Sequence, residues 1–189
     1  DMGATTVRAL LADEPVQLLE RDTSAEARCL QQLCCWGYSI TPSLHTHGAD
    51  CLQLEIGSCL ALFRGMDLLI AEVSNGIASR GFRVEYGLAP TPGAAWLLSF
   101  SENDQANDYQ RPLQDRLTPL PLSLLSGYNT TVDSLRRAGL HTFGDILSLP
   151  PSALGRRCGA EFTGHLQQVL GQRENIHPDY QPPTNFSDE

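Results

Sequence analysis

The stretch that most constrains this chain is Arg137-Ala-Gly-Leu-His-Thr-Phe-Gly-Asp-Ile-Leu147, in which Gly139 and Gly144 stand five residues apart. Glycine enters positive φ without a steric penalty, so this spacing predicts a tight turn between two helical runs. Val132 and Leu135 precede the turn and Ile146 and Leu149 follow it, at spacings that place them on a shared inner face. The first N–H groups of a helix have no partner within the helix itself. A turn that opens a helix in this way can therefore hold a phosphate without reading any base. Two readings follow from these residues. One is a helix-hairpin-helix that grips a nucleic-acid backbone through Gly139, His141, Thr142 and Gly144. The other is an ordinary corner in a small helical bundle.

Charge narrows the first reading without removing it. The formal net charge is −9, which argues against a polyanion being held by the whole surface. Every basic residue is arginine, and the guanidinium fork suits bidentate contact with phosphate. Two local pairs, Arg136–Arg137 and Arg156–Arg157, lie close to the turn in sequence, so a phosphate site remains compatible with an acidic chain.

At 189 residues the chain suits one or two domains with a real core. Its six cysteines (29, 34, 35, 51, 59 and 158) lack the paired spacing of a zinc site. Cys34 and Cys35, adjacent on a helix, would point about 100° apart and could not clamp one metal. Free, mostly buried thiols in a reducing cytosol are the expectation. No signal peptide or membrane-length apolar run occurs. Asp1 falls inside a helical pattern, which reads as a fragment of a longer product.

Periodicity predicts an α+β chain. Residues 2–12 read as the end of a helix and 16–21 as a short extended piece. Thr23 and Glu26 have capping-box spacing, and Ala27, Leu30, Leu33 and Cys34 form the stripe of a helix ending near Gly37, with Pro42 beyond it. Cys51–Ile56 alternates strictly and reads as a half-buried strand. A helix is expected over 67–79, a second strand over 83–88, and another helix opened by Thr91 as N-cap and Pro92 as first residue. Residues 101–121 lose periodicity and hold three prolines, marking a boundary. Beyond it the pattern is all-helical: the glycine-bracketed turn, a short helix from Ser152, and a longer one carrying Phe162, Leu166, Val169 and Leu170. From Ile176 onward the chain reads as an extended linker.

In this order the pieces resemble the Y-family translesion DNA polymerases, most closely the ImuB-type polymerase-like proteins of bacterial mutagenic repair. The resemblance is carried by Asp1-Met-Gly-Ala-Thr-Thr-Val-Arg-Ala-Leu-Leu11 (last fingers helix), Ala49-Asp-Cys-Leu-Gln-Leu-Glu-Ile-Gly57 with Leu62-Phe-Arg-Gly65 (second carboxylate motif of the palm), and Tyr86-Gly-Leu-Ala-Pro-Thr-Pro-Gly-Ala-Ala-Trp96 (strand-to-helix turn). The 139–144 turn with Leu154-Gly-Arg-Arg-Cys-Gly159 is similar to the thumb, and Tyr180-Gln-Pro-Pro-Thr-Asn-Phe186 to the tether that follows it. The resemblance implies the end of the fingers over 1–21, a palm-like domain over 22–112, a thumb-like helix-hairpin-helix domain over 113–175, and a linker over 176–189 to an absent little-finger domain. The implied fold is a palm-type sheet packed with helices, followed by a small all-α thumb.

The departures from that family bear on chemistry. Two-metal polymerisation needs carboxylates around a pair of Mg²⁺ ions. The family's adjacent Asp-Glu pair is Asp50-Cys51 here, and a thiol is too soft to replace a hard oxygen ligand. Glu55, four residues beyond the pair, lies roughly 13 Å further along an extended strand and cannot substitute. Pro92 and Trp96 stand where triphosphate-side lysines would sit. The resemblance thus implies a catalytically inactive palm: Asp50 and Cys51 remain as a remnant, with no catalytic residue, no metal ligand and no cofactor. Mg²⁺ enters only under the alternative, an active polymerase with an unusual site. It further implies DNA contact by Arg136, Arg137, Gly139, His141, Thr142, Gly144, Arg156 and Arg157. The implied partners are DNA, a sliding clamp, a RecA-like accessory protein and an error-prone polymerase subunit, with no membrane and a cytoplasmic, nucleoid-associated setting. A third class, a protein-interaction module whose turn never meets DNA, is kept open by the acidic charge. His45-Thr-His47 beside Asp50 and Cys51 reads as a surface loop, in which alternate side chains splay, rather than as a metal site. Trp36 and Trp96 sit on helix stripes and read as core.

Overall fold

The computed structural model describes residues 20–101, 108–174 and 180. The expected helix over 2–12, residues 16–19 of the extended piece over 16–21 and most of the 176–189 linker lie outside the described residues. The chain divides into two compact units, residues 1–54 with 180–189, and residues 55–179.

In the first unit, helix α1 spans Thr23–Gly37 and ends where the glycine predicts. Its cap differs from the expected box. Asp22, not Thr23, is the N-cap and accepts the Ala25 N–H at 2.8 Å, while Glu26 turns to a two-pronged pair with Arg21. Aspartate caps a helix at least as well as threonine, and the adjacent guanidinium draws the glutamate away from any reciprocal bond. Strands β1 (Leu44–His47) and β2 (Cys51–Leu54) form an antiparallel hairpin with Leu44 opposite Leu54 and His47 opposite Cys51. The connecting turn holds Gly48 at φ 67°. The stretch read as a loop, His45-Thr-His47, is therefore the strand that gives β2 its partner. Leu44, Leu52 and Leu54 share one face, and α1 closes on it through Gly37, where a Cβ would stand 3.2 Å from Leu54 Cδ2 and 3.4 Å from Leu52 Cδ2.

The second unit is helical. Helix α2 spans Met66–Ser79, α3 Pro92–Leu98, α4 Leu113–Leu117, α5 Asn129–Arg137, α6 Phe143–Leu147 and α7 Pro151–Val169. Before them, the Glu55 carboxylate accepts the N–H groups of Gly57 and Ser58 and starts a 3₁₀ turn, Gly57–Cys59, so the expected extension of the strand to Ile56 does not form. The second expected strand, 83–88, is also missing. A strand needs a neighbour to complete its ladder, and among the described residues the only sheet is the β1–β2 hairpin. Phe82, Val84 and Tyr86 keep the alternation but lie exposed.

Thr91 does cap α3, accepting the Ala94 N–H at 3.2 Å, and its hydroxyl also donates to the Val169 carbonyl at 2.6 Å, satisfying an orphan group at the end of α7. Gly87 lies so close to α3 that a Cβ would clash with the Ala95 carbonyl oxygen. Buried Arg116 on α4 donates to the Leu88 carbonyl, and burial lowers its guanidinium pKa. One apolar core joins α3 to the later helices, with Leu97, Leu98, Leu117, Leu135, Phe143 and Phe162 fully enclosed. The compact unit consequently runs across residue 112, with helices on both sides of it. Gly159, at φ 83° and ψ 169°, breaks α7 into a short and a longer part, as the two apolar stripes predict.

Six free thiols match the absence of paired spacing, but only Cys34 and Cys59 are buried and Cys35 is exposed, so the expectation of mostly buried cysteines fails.

Candidate functional site

The glycine-bracketed turn forms, and each glycine has a local reason. Gly139, at φ 83°, ends α5: its N–H donates to the Arg136 carbonyl at 3.0 Å, and the Leu140 N–H to the Leu135 carbonyl at 3.1 Å. This pair of bonds is the Schellman ending of a helix, which needs a left-handed residue at that position. At Gly144 the need is space. A Cβ there would lie 2.8 Å from Thr118 Cγ2 and 3.2 Å from the Thr118 carbonyl oxygen.

The start of α6 was expected to leave its N–H groups open to a phosphate, and it does not. His141 and Thr142 both donate to Asp145 Oδ2 at 2.8 Å, and Asp145 N–H returns to Thr142 Oγ1 at 3.3 Å, completing a capping box. Phe143 N–H donates to the Leu120 carbonyl at 2.9 Å and Gly144 N–H to the Thr118 carbonyl at 3.0 Å. The segment over 118–122 runs alongside the turn, and the Leu122 N–H donates back to the His141 carbonyl at 2.8 Å. The donors of His141 and Thr142 hold the Asp145 carboxyl below the ordinary carboxylate range, so a fixed negative charge occupies the place an anion would take. Thr142 and Gly144 are fold residues here, and exposed His141 has its backbone donor engaged.

The start of α5 is different, and sequence reasoning passed over it. A 3₁₀ turn, Ser126–Tyr128, leads into Asn129 with no side-chain cap. Ser126, Gly127, Asn129 and Thr130 are exposed, and nothing lies within 4 Å of a Cβ built at Gly127. Tyr128 anchors this corner, its ring edge-on to Phe162 at 5.4 Å. The available signal was Gly127 between a leucine-rich run and a polar helix start, less conspicuous than two glycines five apart. Arg136 and Arg137 are exposed on the last turn of α5, with Arg137 Nε donating to the Asp133 carbonyl at 3.2 Å. Arg156 and Arg157 are exposed on the first part of α7.

Asp50 and Cys51 lie at the hairpin. Asp50 is exposed at its tip, and Cys51, opening β2, is partly covered. Burial first, and the neighbouring Asp50 charge second, raise the Cys51 thiol pKa, and sulfur is in any case too soft a donor to replace a hard oxygen ligand. His45 and His47 fall on the same face of β1, with His47 across from Cys51, so the expected splaying of these histidines is corrected by the strand. Even so, among the described residues no group of three or more His, Cys, Asp or Glu side chains could hold a metal ion. Glu55 is engaged with Gly57 and Ser58, and its carboxylate also accepts the Ser58 hydroxyl. Among the described residues no helix is long and apolar enough to cross a membrane.

Two curated proteins are similar to this chain. Both are Protein ImuB, from Caulobacter vibrioides strains NA1000 / CB15N and ATCC 19089 / CIP 103742 / CB 15, each 29% identical over 169 residues, or 89% of the chain. The chain spans 37% of the length of these relatives. No family model and no solved structure matches it. At 29% identity over 89% of the chain, the match supports an ImuB-type relative.

Proposed function

We propose that the chain is the palm-like and thumb-like part of a catalytically inactive, Y-family polymerase-like adaptor in DNA-damage-induced translesion synthesis. The observation that carries this reading is Asp50-Cys51: a soft thiol stands where a second carboxylate would be needed, and Glu55 is committed to a turn. A lone aspartate at a hairpin tip does not retain two hard cations. The adaptor would contact the DNA backbone, with Arg136, Arg137, Arg156 and Arg157 supplying charge and the uncapped start of α5 supplying backbone donors. Synthesis would fall to an error-prone polymerase subunit, recruited together with a sliding clamp and a RecA-like protein in the bacterial cytoplasm.

Primer extension by a full-length protein carrying this region, in Mg²⁺ and in Mn²⁺, tests the assignment. No extension is expected with either metal. Robust extension that disappears in Asp50→Ala would establish the alternative, an active polymerase with an unusual metal site.

A further inference from the structure

Tyr180 belongs to the first compact unit although it follows the whole of the helical one in sequence. Two contacts of different kinds hold it there. Its backbone N–H donates to the Leu44 carbonyl of β1 at 2.6 Å, and its hydroxyl lies 3.5 Å from Cys35 Sγ on α1, in hydrogen-bonding contact. Leu44 is completely buried and paired with Leu54, so the acceptor is a fixed point of the hairpin core. Cys35 is the exposed member of the adjacent thiols, while Cys34 turns into the core. Backbone and side chain of one residue therefore engage a strand and a helix at once.

We propose that Tyr180 is the anchor by which the C-terminal run of this chain is strapped to the first unit, with the Leu44 carbonyl and the Cys35 thiol as its receptor. The backbone bond sets the direction of the strap, and the phenol–thiol contact sets which residue occupies the position. The anchor itself needs no DNA and no partner, and it does not rest on the proposed function. The hydrogen bond to Cys35, with burial second, pushes the Tyr180 phenol up to about 12.

Amide hydrogen exchange followed by NMR on the intact chain tests the strap, because it reads the Tyr180 N–H directly. The parent is expected to protect this amide. Cys35→Ala and Tyr180→Phe, both changes of partly or fully exposed groups, should each cut the protection by about fivefold, the worth of one ordinary hydrogen bond. A second readout is the difference between the phenolate titrations of the parent and of Tyr180→Phe, which isolates one of the five tyrosines. That titration should move down towards the ordinary tyrosine value in Cys35→Ala. Exchange of the Tyr180 amide at the random-coil rate in the parent overturns the proposal. So does full protection and an unmoved titration in Cys35→Ala. Primer extension by the full-length protein would break the adaptor reading and leave each of these results unchanged.

Discussion

Two helix starts in the same helical unit, those of α5 and α6, meet their unpaired N–H groups in opposite ways. At α6 a carboxylate, a hydroxyl and two neighbouring carbonyls take the donors of residues 141–145. At α5 no side chain caps the first turn, and Asn129 and Thr130 face solvent. The comparison teaches that the more conspicuous glycine pattern belongs to the closed turn. Gly139 and Gly144 are demanded by a helix ending and by the approach of Thr118, both internal to the fold. Turns that must fit the rest of the protein leave strong marks in sequence. A turn left open for something else needs fewer special residues.

The sharpest attempt to break this contrast is Gly144→Ala. Overpacking against Thr118 should destabilise the chain by about 1–3 kcal/mol in chemical denaturation, even though alanine is the better helix former. Thr118→Ser removes the offending methyl and should restore much of that loss in the double variant. DNA affinity per folded molecule should stay constant, and a specific drop would reopen α6 as a phosphate site.

Thr142→Ala comes next, with about 1 kcal/mol lost with the cap. The same box makes a prediction about acid. Because the folded-state pKa of Asp145 is depressed, its contribution is present at neutral pH and is lost as pH falls through that folded value. A thermal-melt series against pH should therefore show a smaller acid-side loss in Asp145→Asn than in the parent.

Smallest in stability, and most direct, is Asn129→Asp. A carboxylate at the α5 start should leave stability unchanged or raise it by about 0.5 kcal/mol through the helix dipole, yet weaken DNA binding. Arg136→Ala at the other end of α5 should lower the slope of log affinity against log salt by about 0.9 if that side chain meets one phosphate. Affinity indifferent to both changes would favour a turn and helix that never touch nucleic acid.

Much of the helical framework was legible from local chemistry. Thr91-Pro92 marks the start of α3, Gly37 the end of α1, and the stripes around Gly159 the two parts of α7. These are decided within a turn or two of chain, where capping and periodicity act. The strands were harder, because pairing depends on a partner that alternation cannot name. Cys51–Leu54 found one in Leu44–His47, whose histidines conceal a strand, whereas 83–88 carries the alternation without a ladder. The candidate site was half legible. The arginine pairs lie exposed as charge alone suggests, but the occupation of the α6 donors depends on Thr118 and Leu120, more than twenty residues upstream.

The hairpin register also bears on what a carboxylate at position 51 would meet. A glutamate introduced there would lie across the ladder from His47. The His47 ring is a hydrogen-bonding partner directly across the ladder, and the new carboxylate would meet it ahead of any passing cation. A Cys51→Glu change made alone would thus gain a cross-strand contact before it gained a cation.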